Sequence, residues 1–554
     1  MATASSMSAG DSKRPLSGGF SSNLRHSQSA RPSSPHTPHH QLRSNNSSFA
    51  STSSGSSFRG EEDAIIFELG SRWLRAGFEG DSTPMCVVGF GPEESRRAGD
   101  YRGWLNYDSV GDPAQGPLSP EEWVSAYELW RMDLRSVDLG LVEDKIERMI
   151  RETYNNYLLT DAGTARLVLV LPSLMPHPLL ASILSTLFNR WRFPSITLLP
   201  TAAMSATAAG VRSALVVDLG WAETTVTGVY EYREIGHRRS TRAMKSLLQE
   251  TGRLLTKIDP NSSRDSTDGL SLNFEYCEEV VSRFAWCKPD TTSSQTDTEP
   301  SFTQNPVSIP SPSNPGSEYI DITFSKLAEP IEKSLFAEGV LECDLDDDEK
   351  PIPLLVYNAL LALPPDVRGV CMSRIVFTGG GSNIPGIRQR ILKEVDLLIE
   401  QHGWSQVRGK AVERQRQRLQ NLSLNNRPTS NTTTSSTSST SSNEKPSNPA
   451  PPPQGPEPEI DFVEQKLQRS KDKDYKPPIQ GVLREVETLG PWAGASLVTS
   501  LKIRGLVEIE REKYLQHGLA GASRDLEFHG LVPDRRSGLR SGGDRSSWTL
   551  AGWG

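Results

Sequence analysis

Two stretches of the chain share one pattern of apolar and polar positions. In the first, an apolar run reaches the carboxylate of Glu68, a turn at Gly70 follows, and a second apolar run returns. The second stretch repeats this order about 150 residues later, with Asp218 and Gly220 at the matching positions. Apolar runs joined by a glycine turn are typical of paired strands. We therefore predict two similar halves whose hairpins face each other, each able to present backbone N–H groups to phosphate.

The apolar spacing between and beyond the hairpins alternates between strands and helices. Residues 142–158 carry apolar side chains at helical spacing, whereas residues 167–172 form a continuous apolar run typical of a sheet covered on both faces. Such alternation predicts a doubly wound α/β fold. The same reasoning predicts further helices over residues 120–130, 179–191, 201–210, 270–286, 320–336, 351–363 and 490–500.

Three consecutive glycines follow a predicted strand in the second half. The strand over residues 375–377 leads into Gly379, Gly380 and Gly381, and a helix is predicted to begin near Pro385. Glycines before a helix allow backbone N–H groups to approach an anionic ligand. Close packing between strand and helix also requires glycine, so the pattern leaves a ligand site and a packing role equally open.

Four polar segments interrupt or flank this pattern. Residues 1–62 are rich in Ser, Gly, Arg and His with almost no apolar content, which predicts a disordered tail. Two inserts, 288–316 and 403–459, and a flexible tail over 523–554 are similarly polar. These segments lower the hydrophobic fraction of the chain to 35%, and we expect none of them to pack. A basic helix predicted inside the second insert has either a solvated face or an acidic partner.

Charge and composition exclude several classes of function. The net charge of -8 is spread along the chain, so nothing favours nucleic acid as a partner. No apolar run approaches the roughly 20 residues that span a bilayer, so we expect no membrane insertion. The five cysteines lack metal-ligand spacing and no apolar leader follows Met1, which indicates a reducing cytosolic or nuclear compartment.

These elements, taken in order, resemble actin and the actin-related proteins. The resemblance rests on the two hairpins, the glycine-rich turn over 378–386, and the segments 490–501 and 510–518, and it extends over residues 64–518 apart from the inserts. The Hsp70 and sugar-kinase folds of the same superfamily share the hairpins but not the last segment. The resemblance implies an actin-like, two-lobed α/β fold with a nucleotide cleft. It divides the chain into a first lobe (63–212), a second lobe (213–487) and a return to the first lobe (488–522).

The resemblance also implies that the cleft holds ATP or ADP with Mg²⁺. In the family, the two hairpins and the glycine turn bind the phosphates, and the position of Asp218 holds the metal ion through water. Carried over to this chain, the nucleotide-binding residues are Glu68, Gly70, Ser71, Arg75, Asp218, Gly220, Gly379, Gly380, Gly381 and Ile384.

Several positions depart from the family pattern, and the departures affect hydrolysis most. Thr201 stands where the family has the glutamine that positions the attacking water, and Trp221 replaces an aspartate that orders the metal-bound water. Arg72 replaces a glycine near the phosphates, and Val281 and Ser282 replace the charged pair that contacts adenine. Losing a water-positioning group costs orders of magnitude in rate. We therefore expect a non-enzyme, with a degenerate ATPase site and no catalytic residue.

The resemblance further implies a one-sided contact with an actin-like filament. The stretch between Pro84 and Trp104 leaves little room for the long loop that actin inserts into its neighbour, whereas the barbed-side residues Trp492, Leu497 and Leu501 are retained. Such a subunit would join a filament once and then terminate it. Among divergent actin-related proteins, the chain is most similar to the subunit at the pointed end of dynactin's filament, a cofactor of dynein.

This interpretation sets the partners and the location that we expect. The partners are an actin-like filament subunit and the other pointed-end subunits of dynactin, and the location is the cytoplasm, on the microtubule-associated cytoskeleton. Two alternatives remain open. A nuclear actin-related protein of a chromatin-remodelling complex would share the fold, the inserts and the degenerate site. A weakly active ATPase of the same superfamily would share the cleft.

Overall fold

The structure of the protein is a computed structural model. It describes residues 63–92, 118–131, 133–258, 269–289, 304–312, 318–340, 344–404, 481–503, 506–521 and 523–524. All of them lie in one compact unit, Arg59–Gly554. The core of this unit is built on a seven-stranded and a four-stranded β-sheet, and the described residues also include a separate two-stranded sheet.

The seven-stranded sheet combines strands from the early part of the chain with strands near its end. They are β1 (Ile65–Leu69), β2 (Trp73–Phe78), β3 (Cys86–Gly89), β4 (Leu167–Leu171), β5 (Ser195–Pro200), β12 (Val507–Glu510) and β13 (Ser523–Arg524), in the spatial order β13-β12-β5-β4-β1-β2-β3. Along β1, Ile65 and Phe67 pack into one hydrophobic cluster and Ile66 packs into another. Both faces of the strand are therefore covered, which explains its continuous apolar sequence.

The four-stranded sheet repeats the arrangement around β1. Its strands are β6 (Ala214–Leu219), β7 (Thr224–Tyr230), β8 (Arg233–Ser240) and β11 (Ile375–Thr378), in the order β11-β6-β7-β8. β1 lies between its antiparallel partner β2 and its parallel partner β4, and β6 lies in the same way between β7 and β11. Glu68 is opposite Arg75 and Asp218 is opposite Thr225 in the two registers. The predicted internal repeat is confirmed.

Twelve α-helices surround the sheets in the described part of the chain. They are α1 (Pro120–Ser125), α2 (Leu139–Thr153), α3 (His177–Asn189), α4 (Thr201–Ala208), α5 (Met244–Ile258), α6 (Phe274–Phe284), α7 (Glu329–Ser334), α8 (Ile352–Ala362), α9 (Pro365–Met372), α10 (Ile387–His402), α11 (Pro491–Ser500) and α12 (Arg511–His517). The predicted helix over 142–158 is confirmed as α2 followed by a turn of π-helix, with Val142, Ile146 and Ile150 buried on one face. The predicted α/β fold is confirmed.

Helix α11 brings the chain back onto the first sheet. Its Trp492 indole N–H donates to the Ile66 carbonyl of β1 at 3.4 Å, and the Ser496 hydroxyl donates to the Asp81 carbonyl at 2.7 Å. Gly494 faces α4 so closely that a Cβ there would lie 2.0 Å from the Met204 carbonyl oxygen. The small residues in this segment therefore allow two helices to pack backbone against backbone.

The prediction that residues 288–316 form an unpacked insert is wrong at residues 306–310. These residues form β9 (Pro306–Pro310), which pairs antiparallel with β10 (Tyr319–Thr323). Ile309 is fully buried in the pair. The flanking prolines and serines conceal a short alternating strand, which is stable here because it has a partner.

The helix predicted over 320–336 is also wrong in its first part. Ile320 and Ile322 alternate with polar residues and belong to β10, and the α-helix α7 begins only at Glu329. The tail predicted from residue 523 is wrong at its first two residues, because Ser523 and Arg524 pair with β12. A period of two was present at residues 319–323, in a run too short to outweigh its surroundings.

Several predictions concern residues outside the described part of the chain. These are the tail 1–62, the insert 403–459 beyond Trp404, the tail after Arg524, and most of the stretch between Pro84 and Trp104. They remain predictions. Among the described residues, no helix combines the length and the hydrophobicity that crossing a bilayer requires.

Candidate functional site

The two repeated hairpins line one cavity of about 400 Å³. Its wall is completed by the turn after β11 and by the segment 488–493 at the start of α11. This volume lies within the range of about 300–1,000 Å³ that is usual for ligand sites. The prediction that the hairpins of Glu68 and Asp218 face each other is confirmed.

Most of the residues predicted to bind nucleotide lie in the wall of this cavity. They are Glu68, Gly70, Ser71, Arg75, Asp218, Gly220, Gly379 and Gly380. Gly381 and Ile384 do not line it. Gly381 is buried against Leu219 and the sulfur of Met244, and Ile384 packs into the hydrophobic core of the second half. These two side-chain positions face the protein interior, whereas Ser382 and Asn383 between them line the cavity.

Packing accounts for most of the glycines in this turn. Gly379 has a φ of +81°, and a Cβ there would lie 2.4 Å from the Asp218 carboxylate and 2.5 Å from the Leu219 carbonyl oxygen. Gly220 is equally constrained, with the Glu223 carbonyl oxygen 2.8 Å from a Cβ. Gly380 alone among the three glycines of the turn has open space at that position. Of the two roles left open by the sequence, the structure assigns packing to Gly379 and Gly381, and Gly380 leaves backbone accessible to a ligand.

The cavity is rich in carboxyl groups. Glu68 forms an ion pair with Arg75 across the first hairpin. Burial, and then the negative charge of Glu68, raise the pKa of Asp218 to about 6. Burial also raises the pKa of Glu223 to about 7, an increase that Arg239 opposes and Asp218 adds to. The sequence analysis did not identify Glu223 as a site residue. The one feature that could have indicated it is its position, three residues after Gly220 in the turn of the second hairpin.

Acidification is expected to stabilise the protein. The carboxyls of Asp218 and Glu223 have pKa values of about 6 and about 7 in the folded protein, against about 4 in an unfolded chain. The folded state therefore binds these protons more tightly, and the free energy of unfolding falls as the pH rises through 6 and 7. Denaturant unfolding should show a loss of about 2 kcal/mol between pH 5 and pH 8, after allowance for solvent screening.

Glu223→Gln should remove much of this pH dependence, because glutamine does not titrate. The matched control is Glu231→Gln, which changes a glutamate with 46% side-chain exposure just after β7. An identical pH dependence of stability in wild type and Glu223→Gln would show that Glu223 does not titrate as described.

Arg72 does not extend into the cavity as a free cation. Its side chain is 2% exposed and its guanidinium carbon lies 4.1 Å from the ring centre of Trp73. Its Nη2 donates to Glu278 of α6 at 3.3 Å. The arginine that replaces the family's glycine is therefore stacked in the cavity wall.

The two positions expected to be degenerate for hydrolysis both face the cavity. Thr201 is the first residue of α4, and Trp221 follows Gly220 in the second hairpin. The indole N–H of Trp221 donates to the buried carboxylate of Glu128 at 3.2 Å. Its side chain is thus engaged with protein and offers no oxygen to a metal ion or to water.

The cavity fits a phosphate group better than it fits a nucleoside. Gly380 supplies open backbone for a phosphate, and Asp218 supplies a carboxylate for a cation beside it. No residue of α6 lines the cavity, and Val281 packs instead against hydrophobic neighbours. The predicted adenine-contacting positions Val281 and Ser282 therefore contribute nothing to the wall.

The predicted filament residues differ in their accessibility. Trp492 is 2% exposed, lines the cavity and donates to Ile66, so its assignment to a filament contact is wrong. Leu497 and Leu501 are 47% and 63% exposed, and Ile503 beyond them is 47% exposed. These three side chains form what we call the apolar ridge. Trp492 was misassigned because an apolar segment does not reveal which of its faces is buried.

The fold thus brings two related α/β halves together at one cavity. Residues 59–261 match the family model described as Actin.

The chain is similar to several actin-related proteins. It is 21% identical to Actin-related protein 10 of Dictyostelium discoideum over 246 residues. This match covers 41% of this chain and only 50% of the relative's length. It is 21% identical to Actin-related protein 2 of Arabidopsis thaliana over 344 residues, 60% of this chain and 81% of the relative. It is also 21% identical to the SWI/SNF and RSC complexes subunit arp42 of Schizosaccharomyces pombe over 381 residues, 61% of this chain and 85% of the relative. These matches support the actin-related protein family at low identity.

Proposed function

We propose that the protein is a non-catalytic actin-related subunit that caps the pointed end of dynactin's actin-like filament. In this role it supports dynein-driven, microtubule-based transport in the cytoplasm. The observation that carries the proposal is the apolar ridge, which exposes Leu497, Leu501 and Ile503 together at the end of α11. Exposed apolar groups clustered on a rigid element are typical of a protein–protein contact.

The ridge is supported by the core of the protein. Val498 and Ala495, on the opposite side of α11, are buried in the cluster that also contains Ile66. Gly494 fixes the helix against α4. A preformed surface loses little conformational entropy on binding, which favours a stable contact with a filament subunit.

The cleft would take ATP or ADP with Mg²⁺ as a structural ligand. Gly380 and the turns at Gly70 and Gly220 would hold the phosphates, and Asp218 would hold the metal ion through water. A ligand that binds only the folded state would add about 2.7 kcal/mol of stability at a hundredfold excess over its dissociation constant. Hydrolysis would be slow, because Thr201 and Trp221 provide no group that positions water.

Leu501→Asp is expected to weaken association with the filament by about thirtyfold, the effect of removing a central interface side chain. An aspartate would place an unpaired charge in the contact. The free energy of unfolding should change by less than about 0.5 kcal/mol, because the side chain is mainly exposed. The measurement is cosedimentation with the actin-like filament of dynactin.

The matched control is Leu141→Asp, at a leucine that is 53% exposed on α2. It should bind the filament as the wild type does. Equal binding by Leu501→Asp and Leu141→Asp would show that the apolar ridge is not the contact.

A nuclear role is the second candidate. The similarity to the SWI/SNF and RSC complexes subunit arp42 favours it, since that relative aligns over 85% of its length. In that case the protein would be an actin-related component of a chromatin-remodelling complex. Affinity capture of the full-length protein separates the two roles. Recovery of remodelling-complex subunits without dynactin subunits would favour the nuclear role.

A further inference from the structure

Five side chains join the two halves of the protein beside the cavity. Arg72 and Tyr127 belong to the first half of the chain, and Trp221, Phe274 and Glu278 belong to the second. We call this group the clasp. It lies where the first hairpin, the residues after α1, the second hairpin and α6 meet.

Arg72 is the centre of the clasp. Its side chain is 2% exposed, and its Nη2 donates to the Glu278 carboxylate at 3.3 Å. Its Nε and Nη1 have no hydrogen-bond partner among the described residues. Aromatic faces surround the guanidinium instead, with ring centres 4.1, 5.5, 5.4 and 6.0 Å from its central carbon for Trp73, Tyr127, Phe274 and Trp221. A buried cation is thus stabilised by groups from both halves.

The aromatic members also contact one another across the two halves. Tyr127 stacks on Phe274 with ring centres 3.8 Å apart and planes at 8°. Trp221 meets the edge of Phe274 at 5.9 Å. Stacked and edge-on arrangements are the favourable geometries for aromatic pairs. The rings therefore form a continuous apolar contact around the arginine.

Backbone hydrogen bonds extend this contact along the chain. The Leu118 N–H donates to the Leu270 carbonyl at 3.0 Å, and the Leu270 N–H donates to the Leu118 carbonyl at 2.8 Å. The indole N–H of Trp123 donates to the Leu272 carbonyl at 2.7 Å. The residues around α1 are therefore fixed to the segment that leads into α6.

A buried carboxylate adds a third set of contacts. Glu128, which is 3% exposed, accepts hydrogen bonds from the Trp221 indole at 3.2 Å and from Lys245 at 3.1 Å. Lys245 also binds Glu121 of α1 at 2.7 Å. Since Glu128 and Glu121 belong to the first half and Trp221 and Lys245 to the second, opening the halves would leave a buried carboxylate without these donors.

We propose that the clasp holds the two lobes closed without a bound nucleotide. Every contact described above joins protein to protein, so closure does not require a ligand to link the lobes. Separation would remove Glu278, Phe274 and Trp221 from Arg72 together, which gives the closed state a cooperative advantage. This inference concerns the cleft alone and does not rest on the proposed role at a filament end.

The test is hydrogen exchange of the full-length protein after removal of nucleotide with apyrase and EDTA. The amides of Leu118 and Leu270 report on closure, because each bonds to the other residue. They should exchange slowly already in the stripped protein, before any Mg-ATP is added. Arg72→Ala should accelerate both by at least about tenfold, the size expected for loss of a charged hydrogen bond.

Two further variants make the test specific. Arg72→Lys should also accelerate exchange, because lysine keeps the charge but lacks the planar group that stacks on the rings. Glu278→Gln weakens the Arg72–Glu278 ion pair at its less buried partner. It replaces Arg72→Ala in the test if that variant fails to fold. Arg151→Ala, which removes a surface ion pair within α2, is the control and should have no effect.

Slow exchange of the Leu215 and Val217 amides in β6 confirms in each variant that the core is folded. The proposal would be overturned if the two reporter amides exchange rapidly in stripped wild type and become protected only with Mg-ATP. It would equally be overturned if Arg72→Ala and Glu278→Gln leave them unchanged. Loss of filament binding with the reporter amides still protected would count against the proposed function and not against the clasp.

Discussion

Gly494→Ala is expected to lower the free energy of unfolding by at least about 3 kcal/mol, the upper range for overpacking a well-packed contact. The added Cβ would lie 2.0 Å from the Met204 carbonyl oxygen and 2.8 Å from its carbonyl carbon. Both are backbone atoms of α4, so no side chain can rotate away. Helix α11 would have to move, and with it the contact of Trp492 to β1 and the contact of Ser496 to the Asp81 carbonyl after β2.

The sign of this effect separates packing from helix propensity. Alanine favours an α-helix over glycine by about 0.5–1 kcal/mol, so a helix without the close contact would be stabilised. Gly252→Ala in α5 is the matched control, because a Cβ there meets only side-chain atoms, the Leu270 methyl groups at 3.1 and 3.7 Å and the Trp123 ring at 3.7 Å. Urea unfolding should show a large shift for Gly494→Ala and a small one for Gly252→Ala. Similar midpoints for Gly494→Ala and wild type would contradict the described packing of α4 on α11.

The repeated hairpins were predictable because their signal is local and occurs twice. An apolar run, a carboxylate and a glycine turn recur at Glu68 and Asp218, and the structure gives both the same partners in their sheets. Strand β8 was not predicted. Its arginines and His237 are exposed at the edge of the sheet, where polar residues replace the apolar alternation on which the prediction relies.

The candidate site was predictable only as far as the hairpins extend. Eight of the ten predicted nucleotide-binding residues lie in the cavity wall. Gly381 and Ile384 pack against the protein interior, and the glycine pattern does not indicate which residues of the turn face inward. Whether the eight residues bind nucleotide remains a prediction.

The clasp was beyond prediction from the sequence. Arg72 and Glu278 are separated by 206 positions, and nothing local to either residue indicates the other. From the sequence, Arg72 was only a departure from the family's glycine near the phosphates. Its structural role became visible only once α6 and the residues after α1 were placed on either side of it.

Single-turnover ATP hydrolysis is expected to be at least about a hundredfold slower than in polymerised actin, since removing one group that stabilises the transition state has this effect. Here two groups are replaced. Thr201 is too short to position an attacking water, and the Trp221 indole donates to Glu128. Thr201→Gln should raise the rate at which bound ATP is hydrolysed, because residue 201 already lies in the cavity wall.

The rate alone does not establish a structural role, so association with the filament must be measured on the same preparation. Full-length protein loaded with Mg-ATP and mixed with dynactin's actin-like filament reports binding and turnover in one sample, and a non-catalytic cap must bind without turnover. We expect the protein to cosediment with the filament while its ATP stays intact. Hydrolysis at the rate of polymerised actin, or failure to associate with the filament, would contradict it.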